Sequence, residues 1–126
     1  MFMYMKKIFL AFAVVFLLSC DSKIKSTDVE FDNNEIIYNG ESYTGQVWSK
    51  DGKSFVVEVS DGRPIKITLY HKNGNPAIVS TKFLHDGELK HYDINGYEMT
   101  EGEWERKYED LLKEVDLEGE FPIFSN

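Results

Sequence analysis

Imidazole, thiol, hydroxyl and carboxylate groups are the side chains from which this sequence could build a reaction centre, and their spacing decides which chemistry is open. Three histidines occur, His71, His85 and His91. Asp86 and Asp93 lie near the second and third and on paper could complete a metal site. A bound metal needs several convergent ligands, however, and there is no His-x-His, no cysteine pair and no His-Glu-x-x-His. The three histidines are therefore expected at the surface, with no metal and no cofactor. No serine sits in a Gly-x-Ser-x-Gly elbow, and the carboxylates show no pairing that points to glycoside cleavage. Asp51-Gly52-Lys53-Ser54 has the end of a phosphate-binding loop without its first glycine, and hairpin turn chemistry accounts for the same residues. Catalysis needs groups in assembled roles, and none is assembled here, so the expectation is a protein that is not an enzyme.

The aromatic residues are more ordered. Trp48-Ser-Lys-Asp51-Gly52, Tyr70-His-Lys-Asn73-Gly74 and Tyr92-Asp-Ile-Asn95-Gly96 share one pattern, and the glycines advance by a constant 22 residues. Asp-Gly and Asn-Gly favour type I′ hairpin turns, which need positive φ at both central residues. Asp61-Gly62 and Asp86-Gly87 punctuate the chain between these units. In Ile65-Lys66-Ile67-Thr68-Leu69-Tyr70 apolar side chains alternate onto one face. Strands are expected near 42–49, 53–60, 64–71, 76–84, 88–93 and 97–99, with a weaker one at 35–38. If each unit supplies two adjacent strands, Trp48, Tyr70 and Tyr92 form a ladder with a step of about 9–10 Å. A two-residue turn sets Trp48 opposite Phe55 and Tyr70 opposite Ala77, with Val57 and Val79 on the same face. That face reads first as core, because aromatics are so often buried, and second as an exposed binding face.

These elements stand behind a distinctive N-terminus. Lys6-Lys7 precedes an apolar run from Ile8 to Leu18, then Ser19-Cys20. Basic, apolar, small is the order of an export signal. The run is roughly half the 20 or so apolar residues that a membrane-spanning helix needs. Met5 is itself an ordinary start, so the four residues before it can be a start-site artefact. All 22 Asp and Glu follow Cys20, while two of the 14 Lys and Arg lie in the signal, so the part from Cys20 on sets 12 cations against 22 anions, about −10. Such a surface is repelled by nucleic-acid phosphates and anionic headgroups, which argues against DNA or RNA as partner.

Leu17-Leu18-Ser19-Cys20 resembles the lipobox of bacterial lipoproteins. The resemblance implies cleavage between Ser19 and Cys20 and acylation of Cys20, so that membrane contact comes from N-terminal acyl chains and the domain lies in the cell envelope outside the cytoplasm. Asp21 after the cysteine would imply inner-membrane retention in enteric bacteria, a lineage-dependent rule that leaves the membrane open. As the sole cysteine, Cys20 has no internal disulfide partner. Tyr43-Thr44-Gly45 and the three aromatic-x-x-Asp/Asn-Gly units, over about residues 38–99, resemble the variant form of the MORN (membrane occupation and recognition nexus) repeat, often labelled antitoxin-like. That family builds successive β-hairpins into an elongated sheet. The second glycine of its units is missing here, where the chain has Arg63-Pro64-Ile65 and Glu88-Leu89-Lys90.

Beyond the repeats, Thr100 and Glu103 form a capping box, and Trp104, Tyr108, Leu111, Leu112 and Val115 make one face of an amphipathic helix over roughly 101–116. Packing against the sheet is the plain reading of that stripe. The expected organisation is thus a signal at 1–19, a lipidated N-terminus and flexible tether at 20–35, and a mainly β, antiparallel meander of tandem hairpins at 36–99. A C-terminal α-helix at 100–118 and an apolar tail at 119–126 follow, the tail either forming a last strand or docking a partner. The expected function is a lipid-anchored, non-enzymatic envelope module that presents its hairpin sheet to a protein or polysaccharide. An antitoxin or immunity-like protein and an envelope polymer hydrolase are the alternatives.

Overall fold

The computed structural model describes residues 23–124. Ser19, Cys20 and the expected signal lie outside the described residues. Within them the protein is mainly β, with antiparallel sheets and a C-terminal helix. Strands β1 (Glu30–Asp32), β2 (Glu35–Tyr38) and β3 (Glu41–Ser42) form one sheet. Strands β4 (Gly45–Trp48), β5 (Phe55–Ser60), β6 (Arg63–Tyr70), β7 (Pro76–Ser80), β8 (Leu89–Tyr92) and β9 (Glu98–Met99) form a second, in which each strand pairs with its sequence neighbours. Helix α1 covers Glu101–Lys113 and a short α2 covers Leu117–Glu120.

Two-residue turns bind the small sheet together. Asn33-Asn34 and Asn39-Gly40 all have positive φ and join the pairs Asp32↔Glu35 and Tyr38↔Glu41. Asp61-Gly62 closes β5–β6 in the same way. Its glycine also joins the sheets, because the Gly62 amide donates to the Tyr43 carbonyl at 2.7 Å and the Ile36 amide donates to the Gly62 carbonyl at 2.7 Å. The expected strand at 42–49 is therefore two strands, broken where the chain leaves one sheet for the other. The strand expected at 76–84 stops at Ser80, since residues 81–87 fold back through Leu84 N–H to Thr81 O and Gly87 N–H to Leu84 O, each 3.0 Å.

The region expected as a flexible tether to residue 35 is folded from Lys23 on. Ile24 accepts a backbone hydrogen bond from Trp48 at 2.8 Å, Val29 is buried, and β1 pairs with β2. Few large apolar groups sufficed here, because Val29 and Phe31 both reach the core.

Phe55, Val57, Val47 and Leu69 share the core face of the larger sheet. Trp104 of α1 closes it, fully buried, with its indole N–H donating to the Tyr92 carbonyl at 3.1 Å. Thr100 caps the helix, accepting from the Glu103 amide at 3.3 Å. Leu112 departs from the expected apolar stripe and is 45% exposed. Helix α1 ends at Lys113, three residues short of expectation, and Asp116 starts α2 by accepting from the Gly119 amide. The apolar tail is neither strand nor free. Phe121 is fully buried, with its ring 5.5 Å from Phe31 and 5.6 Å from Phe55.

Candidate functional site: an aromatic groove between two turns

The three turns that carry Gly52, Gly74 and Gly96 share one geometry, but it is not the expected type I′. Only the glycine in each has positive φ, and its amide donates three residues back, to Ser49, His71 and Asp93 at 2.8, 2.9 and 3.0 Å. A single residue with positive φ, placed at the end of the turn, makes a longer loop than two in its centre. Register slips after β4, where Trp48 pairs with Val56 rather than Phe55. Between β6 and β7 the expected register holds through Leu69↔Ile78, and only Tyr70 departs from it, pairing with Pro76 rather than Ala77 across a local irregularity. Because side chains alternate, a slip of one residue moves Trp48 to the face opposite Phe55 and Val57.

The aromatic series is thus neither core nor evenly spaced ladder. Trp48 and Tyr70 are half-buried and stacked, with centroids 5.8 Å apart and ring planes within 14°. Their strands lie on either side of β5, and between them stands Val56, short enough for the rings to lean together across it. Desolvation, then the charge of Glu58, pushes the Tyr70 hydroxyl above its ordinary pKa. Tyr92 is not in the stack; its carbonyl accepts from Trp104 and from His71.

Around the stacked pair runs a groove of about 690 Å³. The turns after β4 and β6 supply Asp51, Gly52, Asn73 and Gly74 to its lining, and the end of α1 supplies Glu114. Asn95, Gly96 and Tyr92 do not line it. Three ammonium groups do: Lys23 lies over the Trp48 ring at 3.9 Å and donates to the Gly52 carbonyl at 2.9 Å, Lys53 is exposed, and Lys72 stands 3.6 Å from Glu114. Asp51 organises the first turn. It accepts from the Ser49 hydroxyl at 2.6 Å, from the Lys53 and Ser54 amides at 2.9 Å each, and from the Ser54 hydroxyl. Desolvation raises its pKa, but those hydrogen bonds outweigh it and hold the carboxyl well below the usual carboxylate range. Both serine hydroxyls donate to this carboxylate, so neither is set against an imidazole as a nucleophile.

The histidines expected at the surface divide. His85 is exposed, but His71 and His91 are 5% and 7% exposed. His71 Nε2 meets the Tyr92 carbonyl at 2.8 Å, and since a carbonyl only accepts, Nε2 carries the proton. Its ring packs on Tyr108 at 4.6 Å, while His91 packs on Trp104 at 5.5 Å. Among the described residues, no group of three or more His, Cys, Asp or Glu is placed to hold a metal ion. Sequence spacing does not single out Lys23, Lys72 and Glu114 and shows Lys53 only as a turn residue, because only the meeting of two turns, a helix end and the segment at Lys23 brings them together.

No protein-family model, curated protein or solved structure matches the chain. Among the described residues, no helix is long and apolar enough to cross a membrane.

Proposed function

We propose that this chain is a lipid-anchored, non-enzymatic binding module of a bacterial cell envelope, held to the membrane through Cys20 and built on hairpins similar to the MORN-variant repeat. Its ligand seat is the groove of Trp48 and Tyr70, and its ligand is a saccharide. One observation carries this reading. Two half-buried aromatic rings stack at the wall of a groove of about 690 Å³ that also presents three lysines. Small-ligand sites run to about 300–1,000 Å³ and combine apolar rings with a few polar groups. Pyranose rings have an apolar C–H face that packs on aromatic side chains, and hydroxyls that bond to amide and ammonium groups.

The test is binding to purified envelope polysaccharides, read by co-sedimentation. Tyr70→Ala is expected to lower retention at least tenfold while the folded domain still melts cooperatively. Equal retention of the variant, or no retention of the native protein by any envelope glycan, would remove the groove from the proposal.

A further inference from the structure

We infer that the groove takes a phosphorylated saccharide carried on a membrane lipid, with the sugar against the Trp48–Tyr70 pair and the phosphate among Lys23, Lys53 and Lys72. This rests on the anchored-module reading above and adds the class of ligand and where it is met. Chain length supplies the first step. Only Asp21 and Ser22 separate Cys20 from Lys23, where the described fold begins. Three residues of chain span at most about 11 Å. Headgroup regions add roughly 10–15 Å in total to a hydrocarbon core of about 30 Å, so an acylated Cys20 leaves Lys23 at the headgroup surface. Lys23 is itself a wall of the groove, fixed by the Trp48 ring and the Gly52 carbonyl. The anchor therefore delivers the groove to the leaflet, not to a ligand far out in the envelope.

Charge supplies the second step. The chain from Cys20 on sets 12 cations against 22 anions. Yet three of those cations line this groove, and among the described residues the carboxylates lining it are Asp51 and Glu114. The Asp51 oxygens are taken up by Ser49, Lys53 and Ser54, and Glu114 stands beside Lys72. A flat sheet of anionic headgroups is repelled by the rest of so acidic a surface. A single phosphorylated headgroup rising into a concave seat meets the lysines without bringing that surface down onto the bilayer. The rings beside the lysines then select a sugar over a bare phosphate.

The chain contains its own reporter. It has two tryptophans, and Trp104 is fully buried, so changes in emission on ligand binding are assigned to Trp48. The acylated full-length protein, purified from membranes, is placed in phosphatidylcholine nanodiscs containing increasing amounts of a phosphorylated disaccharide glycolipid. A saturable shift in emission is expected. Lys23→Gln, Lys53→Gln and Lys72→Gln combined should weaken it about tenfold or more. Three comparisons on the native protein need no variant. An equal response to phosphatidylglycerol, to the same glycolipid without phosphate, or at equal affinity to the water-soluble deacylated sugar phosphate would each overturn the inference, as would no response at all. Labelling with fatty acid in cells separates the two proposals: label on Cys20 with a flat titration removes only the lipid-carried ligand, whereas absence of label removes the anchor and the inference with it.

Discussion

Asp51 shows how much of the candidate site rests on a single side chain. Four donors from three residues converge on its carboxylate, which orders the turn that presents Gly52 and Lys53 to the groove. Asp51→Ala should lower stability by about 1–2 kcal/mol in denaturant melts, the usual cost of leaving local donors without an acceptor. Its folded pKa is depressed, so its contribution is complete above the unfolded carboxylate value near 3.9 and is lost as pH falls below that. Asp51→Asn should therefore flatten the fall of melting temperature below about pH 4, and an unchanged acid limb would assign that limb to other carboxylates. The third turn reaches a similar result with a different residue, since Asp93, not Asn95, accepts from the Asn95 and Tyr97 amides at 2.9 Å each. Sequence spacing marked the turn but could not say which of two acceptors would face inward. The histidines follow the same rule. Imidazole is polar enough to be expected outside, and only the packing of α1 over the end of β6 and over β8 gives His71 and His91 their aromatic neighbours.

At the scale of elements, most strands and their order were legible because glycine turns and alternation are local signals, whereas β1 and the break between β3 and β4 were not. Faces were not, because face depends on the exact length of each loop and on irregularities within strands, such as the one between Glu58 and Val59. The loop after β4 moved Trp48 off the core side, and an irregularity in β5–β6 between Glu58 and Val59, which sets Leu69 opposite Phe55, moved Tyr70 off it too. Glycine substitutions separate the two kinds of turn. Gly96 has positive φ, but a Cβ there meets nothing within 4 Å, so Gly96→Ala should cost only local strain, about 1 kcal/mol. Gly62 has positive φ too, but its added carbon would stand 3.3 Å from the Ile36 carbonyl oxygen at the joint between the sheets. Gly62→Ala should cost roughly 2–4 kcal/mol, since both strain and a displaced sheet contact are added. Equal melting shifts for the two variants would show that the joint does not couple the sheets. Thr100→Ala should cost about 1 kcal/mol through loss of the cap on α1.

At the scale of the whole molecule, the described fold is closed where the segment around Ser26 meets the segment around Phe121. An apolar tail after a helix is ambiguous in sequence, because its burial depends on what space the rest of the fold leaves. Here the space lies between β1 and β5, and Phe121 fills it. Glu120, one residue earlier, accepts from the Ser26 hydroxyl at 2.9 Å and from the Lys50 amide, so the same short segment ties the turn at Ser26 to the first groove turn. The segment from Lys23 to Asp28, the groove and the segment around Phe121 are thus one mechanical unit rather than three appendages to a sheet. Phe121→Ala should cost about 3–5 kcal/mol, as for other buried aromatics cut to alanine. Glu120→Ala should cost less globally, about 1–2 kcal/mol, but its effect should be local. Amide exchange should quicken at Lys50 and along residues 24–32, while β6 and β7 keep the protection of the native protein. Uniform acceleration across the larger sheet would mean that Glu120 supports the core as a whole. Unchanged exchange at Lys50 would mean that the segments around Ser26 and Glu120 are held together by Phe121 alone.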